Sequence, residues 1–138
     1  LIHGVDSFKL LAEIDKQARK AGRIIPCLLQ IHIAQEETKF GFTPEECMEY
    51  LRSGEFRNLQ GVVISGIMCM ATNTDDNSRV DADFRLIADT RRRIVELCPD
   101  LRGFDILSMG MSGDYLRAIA AGSTLVRIGT DIFGPRQY

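Results

Sequence analysis

The chain has 138 residues, 45% of them hydrophobic and 26% charged, with a formal net charge of −2. That is enough apolar material for one buried core and points to a single domain over residues 1–138. The charge balance excludes a nucleic-acid footprint, the composition excludes disorder and coiled coil, and no apolar run approaches the roughly 20 residues of a membrane span.

The opening residues, Leu1-Ile2-His3-Gly4-Val5-Asp6, carry neither the basic region nor the long apolar stretch of a secretory leader, and there is no initiator Met. The expectation is a sequence that starts inside a larger protein. Cys27, Cys47, Cys69 and Cys98 form no Cys-x-x-Cys pair, and His3 and His32 lie too far apart to share a helix face. Such spacing suits neither a disulfide framework nor a zinc site, and it points to reduced thiols in the cytoplasm.

Along the chain, apolar runs alternate with amphipathic stretches. Residues 1–5 read as the tail of a strand. Asp6 or Ser7 can cap a helix reaching about Ala21, with Phe8, Leu11, Ile14 and Ala18 on one face and Gly22 as its stop. Residues 24–33 are a nearly continuous apolar run, as in a strand covered on both faces. A polar loop over 34–42 leads to Thr43-Pro44-Glu45-Glu46, which has the cap, proline and acids of a helix start. That helix should end near Ser53-Gly54.

The second half repeats the scheme. A strand over 59–70 is followed by a polar loop over 71–79 and a long helix over 80–98. A short strand over 104–108 hands over, through a tight turn at 109–113, to a helix over 114–121. A fifth strand over 125–128 precedes Gly129-Thr130-Asp131-Ile132-Phe133-Gly134. Such alternation implies parallel strands with right-handed crossovers. Either an open doubly wound sheet or part of a (β/α)8 barrel fits. A barrel needs about 31 residues per unit, which favours a partial barrel of about four and a half units.

Two segments can carry chemistry. In Ser108-Met109-Gly110-Met111-Ser112-Gly113-Asp114, Ser112 can cap a helix beside free N–H groups that suit an anion, although an ordinary βα turn has the same residues. In Val126-Arg127-Ile128-Gly129-Thr130, alternation puts Leu125, Arg127 and Gly129 on one face. An arginine in a buried strand needs a partner, either a structural carboxylate or a ligand anion, and Gly129-Thr130 can offer backbone N–H groups. Both segments follow the last two strands, where barrels often build a phosphate site. Lys39 lies in a loop facing the same mouth, although lysines are mostly solvated. Arg91-Arg92-Arg93 read as a solvated helix face, and Met68, Met70 and Met111 as packing residues. Met109 is carried both as packing and as a contact to a bound group.

The stretches 107–114 and 118–134, running from Leu107-Ser108-Met109-Gly110-Met111-Ser112 to Val126-Arg127-Ile128-Gly129-Thr130-Asp131-Ile132-Phe133-Gly134, resemble the C-terminal end of the pyridoxal phosphate homeostasis proteins. Gln30-Ile31-His32-Ile33, Lys39-Phe40-Gly41 and Gly66-Ile67-Met68 fall in that family's order. These proteins look like the N-terminal barrel domain of alanine racemases. The resemblance implies a (β/α)8 TIM-type barrel with pyridoxal 5′-phosphate at its mouth, here its C-terminal part with the N-terminal strands absent. It implies Ser112, Gly129 and Thr130 at the phosphate and Arg127 near the pyridine nitrogen; Lys39 and Met109 are counted as further candidate cofactor contacts. An arginine there would keep the pyridine nitrogen unprotonated and weaken the ring as an electron sink. It further implies a protein that buffers the cofactor and delivers it to pyridoxal phosphate-dependent enzymes, without strong catalysis. The family's Schiff-base lysine would lie before Leu1, and Cys69-Met70-Ala71 departs from the family's usual residues after Gly-Ile-Met. The alternatives are a pyridoxal phosphate-dependent amino-acid racemase and a half-barrel without ligand. A half-barrel has two open sheet edges, so these 138 residues alone are expected to self-associate.

Overall fold

Each apolar run of the sequence becomes a strand, and each strand pairs with the next. The structure is a computed structural model and describes residues 1–33 and 40–138. Its strands are β1 (Ile2–Val5), β2 (Ile25–Gln30), β3 (Val62–Met68), β4 (Ile106–Met111) and β5 (Leu125–Arg127). They form one sheet in the order β1-β2-β3-β4-β5, parallel at every pairing.

That order decides between the two architectures left open by the sequence. A doubly wound sheet reverses its strand order at a switch point, and this sheet never reverses. Right-handed crossovers then place all the helices on one face. Accordingly, Cys27, Leu29, Ile67, Leu107 and Met109 share one core with helix residues Leu11, Cys47, Leu51, Phe84, Ile87 and Ala118. The fold is a partial (β/α)8 TIM-type barrel whose other sheet face is concave.

The helices form where local chemistry satisfies their ends. Ser7 caps α1 (Phe8–Lys20) by accepting from the Leu10 amide at 3.1 Å, and Arg19 and Lys20 sit at the negative end of its dipole. Before α2 (Pro44–Ser53), Thr43 Oγ1 accepts from Glu46 N and Glu46 Oε2 accepts from Thr43 N, both at 3.1 Å. This is the capping box foreshadowed by Thr-Pro-Glu-Glu. A single 3-10 turn (Glu55–Asn58) then leads to β3. Helix α3 (Asn77–Leu97) starts three residues earlier than expected, because Asp76 Oδ1 accepts from Ser78 N at 3.0 Å and caps it.

The largest departure from the sequence expectation is at β4. The strand starts later than 104 and runs on to Met111, through residues read as a tight turn. Gly110 has φ +104°, and a Cβ there would lie 2.7 Å from Ala118 Cβ and 3.1 Å from Tyr115 Cα. The missing side chain lets α4 (Tyr115–Ala120) lie directly on the strand. A last short helix, α5 (Thr130–Phe133), follows β5.

Two buried aspartates pin the loops around β3. Asp15 accepts from Gln60 N at 2.9 Å and Gly61 N at 2.7 Å, fixing the chain as it enters the strand. Asp83 accepts from Thr72 N at 2.8 Å and Thr72 Oγ1 at 2.6 Å, fixing the loop that leaves it. Arg91 is not simply solvated: its Nη2 donates to Phe104 O at 3.1 Å, whereas Arg92 and Arg93 are exposed. Among the described residues no helix is long and apolar enough to cross a membrane.

Candidate functional site

The concave face carries a short polar row. Gln30, Met68 and Ser108 are in register on β2, β3 and β4. Their neighbours Leu29, Ile67 and Leu107 point into the helical core, so alternation turns the row inward. Ser108 and Gln30 are buried.

Arg127 reaches into this row from β5. Its Nη1 donates to Ser108 Oγ at 2.5 Å and its Nη2 to the carbonyl of Cys69 at 2.9 Å. Two residues hold it there. Ser123 Oγ donates to Met109 O at 2.7 Å, and Thr124 Oγ1 accepts from Leu107 N at 2.8 Å, so the short β5 is stitched to β4 just before the arginine.

The partners of Arg127 are neutral, not the structural carboxylate left open by the sequence. Among the described residues no carboxylate forms an ion pair with it. Burial lowers its pKa. Burial also pushes the adjacent Cys69 thiol up to about 12, so that group offers no thiolate. A partly desolvated cation with only neutral acceptors favours an anionic or electron-rich ligand beside it.

The residues expected at an anion lie at the ends of β4 and β5. Ser112 follows β4, but it does not cap α4 as expected. Asp114 occupies the cap position and its Oδ1 accepts from Met111 N at 2.8 Å, closing the turn. Ser112 Oγ instead accepts from Asp131 N at 3.3 Å, joining the turn after β4 to the segment after β5. With its oxygen engaged, the hydroxyl proton remains available to a ligand.

Ser112, Arg127, Gly129 and Thr130 line one cavity of about 620 Å³, together with Met111, Phe133 and Arg136. Gly129 and Thr130 are exposed. Among the described residues, no backbone hydrogen bond to a described acceptor engages either N–H. A Cβ built on Gly129 would meet nothing within 4 Å, so the space beside it is open. Beside this cavity, Gln30, His32, Thr72, Asp75, Arg136 and Tyr138 line a second, wider part of the mouth.

Not every expected contact gathers here. Met109 is fully buried in the helical core and lines neither cavity, so its place is behind the strand. Lys39 lies outside the described residues. The sequence reading missed His3, Ser108 as an arginine partner, and Arg136. The Leu-Ser-Met-Gly motif contained Ser108, but a lone histidine on the first strand gave no signal.

Comparison with known proteins matches residues 1–137 to the family model described as alanine racemase, N-terminal domain. The chain belongs to this family. Among its relatives, the pyridoxal phosphate homeostasis protein of Helicobacter pylori is 35% identical over 134 residues, covering 96% of this chain and 56% of that protein. The protein of the same name from Synechocystis is 33% identical over 136 residues, covering 98% of this chain and 60% of that protein. The chain thus spans little more than half the length of the curated relatives it matches. Among solved structures, PipY of Synechococcus elongatus with PLP bound superposes with a TM-score of 0.86 at 32% identity, covering 96% of this chain and 60% of that one.

Proposed function

We propose that this chain supplies the phosphate-binding side of a pyridoxal 5′-phosphate site, in a cytoplasmic protein that buffers the cofactor and delivers it to dependent enzymes. The observation that carries the reading is the shared cavity of Ser112, Arg127, Gly129 and Thr130. The names of the relatives and the PLP-bound PipY structure support it.

The residues fit the group. A phosphate dianion needs several converging donors and tolerates little desolvation without them. Here Ser112, Gly129 and Thr130 line one cavity, and the space beside Gly129 is open. Arg127 lies deeper, where it would donate to the pyridine nitrogen, and Arg136 stands at the cavity wall. When bound, the cofactor supplies an electrophilic aldehyde and an aromatic ring that can take up electrons. Arg127 does not give up its proton, so it withholds from the ring the charge that strong catalysis would require. Met109 supports β4 from behind, and Lys39 remains a proposed contact at the mouth. The open edges of β1 and β5 would make these 138 residues associate when expressed alone.

The test is equilibrium binding of pyridoxal 5′-phosphate to the full-length protein, followed by absorbance. Saturable binding, weakened by Ser112→Ala and by Thr130→Pro, is expected. Unaltered affinity in both variants would remove the cradle from the site.

A further inference from the structure

His3 lies on the concave face, outside the proposed site. His3 on β1 and Ser108 on β4 are separated in the sheet by two whole strands. The curvature of the sheet nevertheless brings His3 Nδ1 to 3.2 Å from Ser108 Oγ. Ser108 is fully buried, and its oxygen already receives Arg127 Nη1 at 2.5 Å.

Proton accounting favours one direction for this chain of bonds, the one in which the Ser108 hydroxyl proton has an acceptor. Arginine has donors only, so Ser108 Oγ accepts from Arg127. The hydroxyl has one proton, and the acceptor facing it is Nδ1 of His3. This assigns His3 as neutral, with its own proton on Nε2. We infer that His3 is a positioning residue: through Ser108 it fixes the Arg127 guanidinium in the orientation that faces the ligand cavity. The cofactor reading enters only in what Arg127 then faces.

The groups around His3 agree with this assignment. Burial lowers its pKa first, and the charge of Arg127 next. Just after β3, Cys69, whose carbonyl accepts from Arg127, is an uncharged thiol. The charge of Asp114, before α4, acts on Arg127. Gln30 on β2 is neutral and lies against Gly4, where its Oε1 would be 3.5 Å from a Cβ. No carboxylate is among the groups that shift His3. Protonation would turn Nδ1 into a donor, leave the Ser108 proton without its acceptor and set a second cation beside Arg127. The guanidinium would then lose its fixed seat.

The experiment uses the full-length protein and has two arms. In the first, nitrogen-15 NMR of the imidazoles is followed against pH without ligand. His3 is expected as the Nε2–H tautomer, titrating below free histidine, and Ser108→Ala is expected to move its titration and its Nδ1 resonance. In the second arm, pyridoxal 5′-phosphate affinity and absorbance are compared for the parent, His3→Phe and His3→Asn. Removing one hydrogen-bond acceptor should weaken binding about three- to tenfold in His3→Phe. His3→Asn places an oxygen near the Nδ1 position, so it should restore affinity while abolishing the loss of binding on the acid side. Thermal melts of each variant separate unfolding from lost positioning. An Nδ1–H tautomer, a titration indifferent to Ser108→Ala, or equal affinity and pH profile in all three proteins would overturn the inference. If the parent binds no pyridoxal 5′-phosphate, the proposed function fails, and the ligand-free arm still decides the relay.

Discussion

The carbonyl of Cys69 accepts a hydrogen bond from Nη2 of Arg127 at 2.9 Å, so β5 is tied to the end of β3 over the intervening β4. One side chain thereby bridges three strands and sets the floor of the cavity that Ser112, Gly129 and Thr130 line from the rim. A guanidinium can do this because its planar fork carries donors on separate nitrogens, whereas an ammonium is a compact point charge.

Arg127→Lys should therefore keep the charge and lose the bridge. Affinity for pyridoxal 5′-phosphate in the full-length protein is expected to fall about tenfold, and further in Arg127→Met, where both charge and donors are gone. Isothermal titration calorimetry reads both. Arg127→Lys binding as tightly as the parent would show that charge alone matters there.

The thiols should be silent. All four cysteines are free and buried. Burial pushes Cys47 and Cys69 up to about 12, so neither is a thiolate near neutral pH. Reaction with a thiol-disulfide reagent at about pH 8 should be far slower than in urea, because only the exposed thiolate attacks. Fast labelling of Cys69 in the native protein would mean that the end of β3 opens readily.

The fold was legible in the sequence wherever a single periodic signal coincided with a cap. Thr43-Pro44 and Ser7 marked their helices because side chain and backbone satisfied one another locally. The barrel itself was legible only as one of two options, since alternation does not encode strand order. The turn at 109–113 was misread because Gly110 suits a turn equally well, and its real role depends on Ala118 and Tyr115 packing from α4. The residues that line one cavity, Ser112, Gly129 and Thr130, were visible as two local motifs after consecutive strands. His3 was not, because its partner is 105 residues away and only the curvature of the sheet joins them.

Gly110 is then a test of packing. An alanine there must adopt φ near +104° and push against Ala118 Cβ. Strain and overpacking together should cost about 2–4 kcal/mol. Urea denaturation of the full-length protein should show the midpoint falling with little change in slope. A variant as stable as the parent would mean that α4 can lift away from β4 at little cost.

The last prediction concerns acid. Burial and the neighbouring Arg127 hold His3 below the ordinary histidine value of 6.5. The unfolded chain therefore takes up a proton at a pH where the folded chain still refuses it. Over that interval the unfolded state binds more protons, and stability rises with pH. The contribution of neutral His3 is fully present above the unfolded value and is lost as pH falls through the folded one. Urea midpoints of the full-length protein, measured from about pH 7.5 down to about pH 5, should decline below about 6.5, before most carboxylates protonate. In His3→Asn that part of the decline should flatten, while the fall below about pH 5, which belongs to carboxylates, should remain. Superimposable profiles for the two proteins would mean that His3 is as freely protonated in the folded barrel as in solution, and the hydrogen bond to Ser108 would then have no energetic consequence.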